Sequence, residues 1–175
     1  MMQKKVQIIS DGSLDLSQEL TKEKDIEVVP FYVSFDSETY QKEMVEVGVR
    51  EFYQEMVDHP TVFPKTSMPS VHDYYEVFEK HAKEKMPVIC ICITRKFSGS
   101  LQSATTAKDM ILEEYPDAQI TVIDSTVNTV LQGLYVLEAC RLRDMGLEYQ
   151  QIVDCVTCRS VRQEEFFSQS EVLTI

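Results

Sequence analysis

The chain has 175 residues, 43% of them hydrophobic, enough to bury one substantial core and too few for two full domains. Its 29 acidic residues against 17 basic ones give a formal net charge of -12, a field that repels phosphate backbones and anionic lipid surfaces and so excludes nucleic acid as an expected partner. The charges fall in mixed clusters such as Lys22-Glu23-Lys24-Asp25, the pattern of solvated helix faces rather than of an acidic tail.

Along the chain, strand, loop and helix come first. Val6 to Ile9 is an apolar run too short for a signal-peptide core. Asp11-Gly12-Ser13 follows it, and Asp15 with Gln18 gives a capping-box-like helix start. Ile26 to Phe35 is rich in β-branched and aromatic residues, and Phe31, Val33 and Phe35 alternate with Tyr32 and Ser34, which predicts a second strand. Val45, Val47 and Val49 alternate as an edge strand would, whereas Phe52/Met56 and Tyr53/Val57 are helical i,i+4 pairs, so a weak strand and a short helix are expected. Pro60, Pro64 and Pro69 then predict an irregular extended loop, because each lacks an N–H and biases its predecessor away from helix. A helix restarts at Ser70, capped by Ser70 with Asp73, with Val71, Tyr74, Tyr75, Phe78 and Ala82 on its apolar face.

Val88 to Ile93 shows no polar alternation, the mark of a strand covered on both faces in a parallel sheet. It is also the longest such run, far below the ~20 residues that span a bilayer. A loop leads to a helix from about Ser100 to Tyr115, Ile120 to Ile123 repeats the buried-strand pattern, and a long apolar helix ends at Gly146, a suitable C′ glycine. This alternation predicts a three-layer α/β/α fold with a mainly parallel sheet. Residues 1–150 are expected to form that domain, and 151–175, with a helix through Ile152, Val153 and Val156 and then a polar segment, to begin a linker or a truncated second domain.

Five cysteines, an odd number with two inside an apolar run, suit free thiols and a cytoplasmic location. Cys155 and Cys158 form a single C-x-x-C without a second pair or a nearby histidine, so neither a metal nor a cofactor is expected.

Ligands of open parallel sheets bind beyond the carboxyl ends of the strands. Those ends share a hydroxyl chemistry here: Asp11-Gly12-Ser13, Ser98-Gly99-Ser100, Asp124-Ser125, and Thr66-Ser67 in the proline-rich loop. The loop at Ser98 opens a helix, so unpaired N–H groups and a positive dipole end sit beside two hydroxyls, a seat for one carboxylate or phosphate. Taken singly, each serine reads as an N-cap, and convergence on one sheet edge is what points to a binding site. Asp11 and Asp124 can fix loops through backbone N–H groups or serve as acid or base. Arg95 and Lys96 can add positive potential or simply solubilise the loop.

Enzyme signatures are missing. A nucleophile elbow needs glycines where Lys96 and Ser100 flank Ser98, and no phosphate-cradling glycine motif exists. His59, His72 and His81 show no ligand spacing and are expected at the surface.

With these residues in place, the chain resembles the DegV family, bacterial proteins that bind fatty acids and present them to a partner kinase. Asp11-Gly12-Ser13-Leu14-Asp15-Leu16 is similar to the family's Asp-Ser-(Thr/Ser)-x-Asp-Leu opening, Val28-Val29-Pro30 to its Val-Val-Pro strand, and Thr66-Ser67-Met68-Pro69-Ser70 to Thr-Ser-Gln-Pro-Ser. Phe97-Ser98-Gly99-Ser100-Leu101-Gln102-Ser103-Ala104 resembles Leu-Ser-Gly-Thr-Tyr-Gln-Ser-Ala, and Ile123-Asp124-Ser125 with Leu137-Glu138-Ala139 resembles the last strand and helix. Five matches in order cover about residues 6 to 145.

The resemblance implies a non-enzymatic carrier in which Thr66 and Ser98 bond the carboxylate of a long-chain fatty acid. Ser67, Gly99 and Ser100 are then neighbours of the head group, Ser13 and Ser125 complete the polar strand ends, and the acyl chain lies in an apolar tunnel. The implied partner is a fatty-acid kinase resembling dihydroxyacetone kinase, with no integral membrane contact. Gly12 and Met68 depart from the family's serine and glutamine, and Thr129 and Leu131 stand where it favours small residues. The family's second domain, with its Gly-Gly-Arg-Ile motif and a carboxylate-holding histidine, has no counterpart, so a truncated or fragmentary member that alone binds lipid weakly or not at all is expected. The alternative is an enzyme acting on a small phosphorylated or carbonyl metabolite at the same edge; docking of a kinase on this half is compatible with the carrier.

Overall fold

The parallel sheet forms where the apolar runs predict it. In the computed structural model, which describes residues 6–161, β1 (Gln7–Asp11) leads through a 3-10 turn at Gly12–Leu14 into α1 (Gln18–Glu23) and β2 (Ile26–Val29). Then come β3 (Tyr32–Ser34), β4 (Gln41–Lys42), α2 (Val49–Asp58), β5 (Lys65–Ser67) and α3 (Val71–Lys83). The chain continues with β6 (Val88–Cys92), α4 (Ser100–Glu114), β7 (Ile120–Asp124), α5 (Thr129–Asp144) and α6 (Tyr149–Val161). The main sheet has the order β2-β1-β6-β7, all parallel. A second, antiparallel sheet has the order β4-β3-β5.

Strand alternation divides the core into two layers. Ile8, Ile89 and Ile91 face Tyr135 and Val136 of α5 and Ile152 and Val156 of α6. Ile9, Cys90 and Cys92 face Tyr74 and Phe78 of α3 and Ala104, Ala107 and Ile111 of α4. Every residue of β6 is fully buried, which is why its sequence shows no polar alternation. Full burial of each large aliphatic side chain there contributes roughly 1.5–3 kcal/mol, and the small alanines of α4 let that helix lie close on the sheet. Helix α6 belongs to this packed body: the Tyr135 hydroxyl donates to the Val156 carbonyl at 3.0 Å.

Several local expectations shift. Helix α1 is capped by Ser17, whose hydroxyl accepts the Leu20 N–H, and not by Asp15, which adopts a left-handed φ of 53° after the 3-10 turn. The predicted second strand is two strands in two sheets, divided at Pro30, which has no N–H to continue a ladder. Val45 and Val47 lie in a turn closed by Met44 N–H to the Val47 carbonyl at 2.8 Å, and only Gln41–Lys42 pairs with β3. The proline-rich loop contains β5, and Pro69 then carries the chain into α3. Pro30 and Pro69 thus stand at the two crossings between the small sheet and the main body.

His81 is 4% exposed rather than on the surface, because α3 turns it onto β2, where Nε2 lies 2.6 Å from Glu27 Oε2. His59 and His72 do lie outside, each beside a glutamate one helical turn away. Gly146, at φ 84°, ends α5 as predicted.

Candidate functional site

Strand order reverses between β1 and β6, so the loops after these two strands flank the switch point where ligands of such sheets bind. Asp11, the last residue of β1, is fully buried there. Its Oδ2 accepts the Ile93 N–H at 2.9 Å and the Ser100 hydroxyl at 2.7 Å, and its Oδ1 accepts Gln132 Nε2 at 2.8 Å. Ser13 Oγ stands between Asp11 Oδ1 and Gln132 Oε1, at 2.5 and 2.7 Å. A buried carboxylate is tolerated here because donors from four segments surround it. Asp11 thereby has the loop-fixing role, joining β1, the end of β6, α4 and α5.

The network continues inward. Gln132, fully buried on α5, also donates to Ser10 Oγ at 3.0 Å, and Ser10 donates to the Ile91 carbonyl at 2.8 Å. Helix α5 can come this close because residue 133 is glycine: a Cβ there would lie 2.4 Å from the Leu14 carbonyl oxygen. Since Ser100 gives its proton to Asp11, the Tyr74 hydroxyl, 2.6 Å from Ser100 Oγ, donates to it. Burial pushes the Tyr74 phenol well above its ordinary range, with Cys92, Cys90 and Asp11 adding to the effect, so it remains a donor. Burial likewise raises the Cys90 thiol, consistent with an inert core residue.

The expected ligand residues fall into two groups. Ser13, Ser100 and Ser125 turn their hydroxyls into the protein, Ser125 donating to the Val127 carbonyl at 2.9 Å. Ser98 is half-buried, and among the described residues its hydroxyl only accepts, from the Ser100 N–H at 3.2 Å. Thr66 and Ser67 are exposed on β5, and among the described residues neither side chain makes a hydrogen bond. Asp124 closes its own turn by accepting the Thr126 N–H, with Arg95 Nε at 3.6 Å.

Helix starts at this edge differ in a way that matters for an anion. At α3 the Ser70–Asp73 capping box already fills the N-terminus, and Asp73 also receives Tyr32 Oη at 2.7 Å and Lys42 Nζ at 3.2 Å. Helix α4 begins at Gly99 with no side-chain cap and no acidic residue in its first turn. The Ser98 hydroxyl takes the Ser100 N–H, and among the described residues no acidic group of that turn neutralises the rest of the helix's positive end.

Two glycines receive the small sheet. Glu43 accepts the Phe31 N–H at 3.0 Å and packs on Gly12, where a Cβ would meet its Oε1 at 1.8 Å. Burial raises the Glu43 carboxyl above its ordinary range, the Phe31 N–H opposes this, and the nearby Asp11 charge adds to it. Met68 covers Gly99, where a Cβ would lie 2.6 Å from its Sδ.

Gln132, Tyr74, Ser10 and Glu43 were not legible as site residues. One signal did exist, since Gln132 interrupts the apolar run at the start of α5, between Val130-Leu131 and Leu134, and adjoins a glycine. Among the described residues no cluster of histidine, cysteine or acidic groups could hold a metal ion, and no helix is long and apolar enough to cross a membrane. What the edge offers is a helix start without acidic side chains in its first turn and with the Ser98 hydroxyl at it, suited to one anionic head group.

Comparison with known proteins agrees with this architecture. A solved fatty-acid (stearic acid)-binding protein from Eubacterium ventriosum is 46% identical and superposes with a TM-score of 0.83, over 86% of this chain and 52% of that one. A fatty-acid-binding DegV protein from Thermus thermophilus is 29% identical, with a TM-score of 0.74 over 90% of this chain and 54% of the other. A DegV domain-containing protein of Clostridium acetobutylicum is 34% identical over 148 residues, 85% of this chain and 51% of the relative. The chain thus spans about half the length of the relatives it matches. The profile of the DegV family, whose members are described as uncharacterised, matches residues 5–172, so this chain belongs to the DegV family.

Proposed function

We propose that the chain binds a long-chain fatty acid through its carboxylate at the edge between β1 and β6. Thr66 and Ser98 donate to the carboxylate, Ser67 and the N–H groups at Gly99 assist, and Ser13, Ser100 and Ser125 shape the site through the network around Asp11. The observation that carries this reading is the start of α4, which has no acidic residue in its first turn and has Ser98 at it and Met68, the residue after β5, against Gly99, together with the uncommitted Thr66 and Ser67 hydroxyls of β5. A neutral donor set of this kind stabilises one negative charge without a counter-ion. Fatty-acid binding by relatives as close as 46% identity supports the choice of ligand.

In this reading the protein is a carrier in the cytoplasm that presents its lipid to a fatty-acid kinase resembling dihydroxyacetone kinase, and catalyses no reaction itself. The saturation of Asp11 by its donors weighs against an acid or base role toward a phosphorylated or carbonyl metabolite.

Extraction of the purified protein followed by mass spectrometry is expected to release fatty acid. Thr66→Ala and Ser98→Ala are each expected to weaken oleate binding about tenfold, the usual loss for a hydrogen bond to a charged group. A protein that carries no lipid and shows no affinity for oleate or palmitate would overturn the reading.

A further inference from the structure

Met68 follows β5 by one residue, and the ladder sets its direction. Tyr32 pairs with Ser67 and Val33 with Thr66, while Tyr32 also pairs with Lys42. Opposed residues share a face of the sheet, and successive residues alternate. Tyr32 and Lys42 both reach Asp73 at the start of α3, so Ser67 lies on the α3 side. Thr66 lies on the other face, and the thioether of Met68, the first residue past the ladder, rests against the bare Cα of Gly99. Thr66 stands two strand residues away from that contact, about 7 Å along β5, a gap that one carboxylate with a hydrogen bond at each end can span.

We propose that Met68 is a positioning residue of the carboxylate site: seated on Gly99, it fixes the height of β5, and with it Thr66, above the start of α4. This rests on the reading that Thr66 and Ser98 hold a carboxylate. The seat requires a glycine for space alone, because Gly99 has φ -80° and ψ 4°, a conformation open to alanine. Met68 is 44% exposed, so a thioether pushed off its seat can swing into solvent and leave the fold intact.

The test is a double-mutant cycle on the chain, with oleate affinity, melting temperature and the methyl resonance of Thr66 as readouts. Gly99→Ala and Met68→Ala are each expected to weaken oleate binding about tenfold with little change in melting temperature, and together to weaken it no further, since both break one contact. Met68→Leu, a volume-conserving change, is expected to retain affinity. The Thr66 methyl resonance is expected to move in both alanine variants and to stay in place in the leucine variant. Wild-type affinity in Met68→Ala, or losses that multiply in the double variant, would overturn the proposal. If the wild-type chain binds no fatty acid, the carboxylate reading fails and takes the ligand part of the proposal with it, and the resonance decides the rest: movement in both alanine variants upholds the placement of Thr66 by Met68, and an unmoved resonance refutes it.

Discussion

Replacing Asp11 with alanine tests whether one carboxylate holds the strand-end loops together. The substitution removes the acceptor for the Ile93 N–H, the Ser100 hydroxyl and Gln132 Nε2 in a fully buried place. Ser100 keeps Tyr74 as a partner, and Gln132 keeps Ser10, so the Ile93 N–H is the group left stranded. One orphaned buried donor costs about 1–3 kcal/mol, and weakened bonds to a charged acceptor add a similar amount, so a loss of about 4 kcal/mol is expected. That is a large part of the ~5–15 kcal/mol that stabilises an ordinary domain. With a slope of about 2 kcal/mol per molar urea, the midpoint should fall by about 2 M. The chain has no tryptophan and 8 tyrosines, so circular dichroism and tyrosine fluorescence report the transition. Asp11→Asn keeps the shape but turns an amide toward two donors and should lose about half as much. A midpoint lowered by less than about 0.5 M in the alanine variant, close to what a surface substitution does, would refute the role assigned to this carboxylate.

Two further outcomes concern pH. Glu43 has a raised carboxyl, so its contribution to stability is complete below the ordinary value of 4.5 and is lost as pH rises through the raised one. Glu43→Gln, which keeps the acceptor for the Phe31 N–H, should therefore raise the urea midpoint at neutral pH and leave it unchanged in acid. Asp73 behaves oppositely: burial works against ionisation, but hydrogen bonds from Ser70, Tyr32 and Lys42 outweigh it and lower the carboxyl from 3.8 to about 2. Its stabilisation, about 2 kcal/mol, is present above the ordinary value and fades as acid approaches the lowered one. Asp73→Asn should flatten the acid limb of a plot of midpoint against pH.

The main sheet was legible because burial on both faces leaves a direct mark: β6 is five apolar residues with no polar interruption. The capping box at Ser70 and Asp73 was legible because it is local, with donor and acceptor within one helical turn. The small sheet was not. The side-chain alternation of residues 31–35 runs on from the apolar stretch of β2, so period alone could not show that Pro30 ends one sheet and starts another. Strand β5 is hidden for a different reason: Lys65, Thr66 and Ser67 are all exposed and lie between prolines, so neither hydrophobicity nor periodicity marks them. The hydroxyl-bearing strand ends could be named, but not which hydroxyls remain available. That depends on Gln132, 121 residues from Asp11 in sequence, and on Tyr74, whose ring looked like one more apolar contact of α3.

The prolines at the two crossings bear on how the small sheet responds to load. A ring-locked φ at Pro30 and another at Pro69 remove torsional freedom where the three short strands join the body. The joints act as stiff struts rather than pivots, and they also narrow the unfolded ensemble that folding must overcome. A ligand gripped between β5 and α4 would then be held by a frame of low compliance, with little slack to remove on binding.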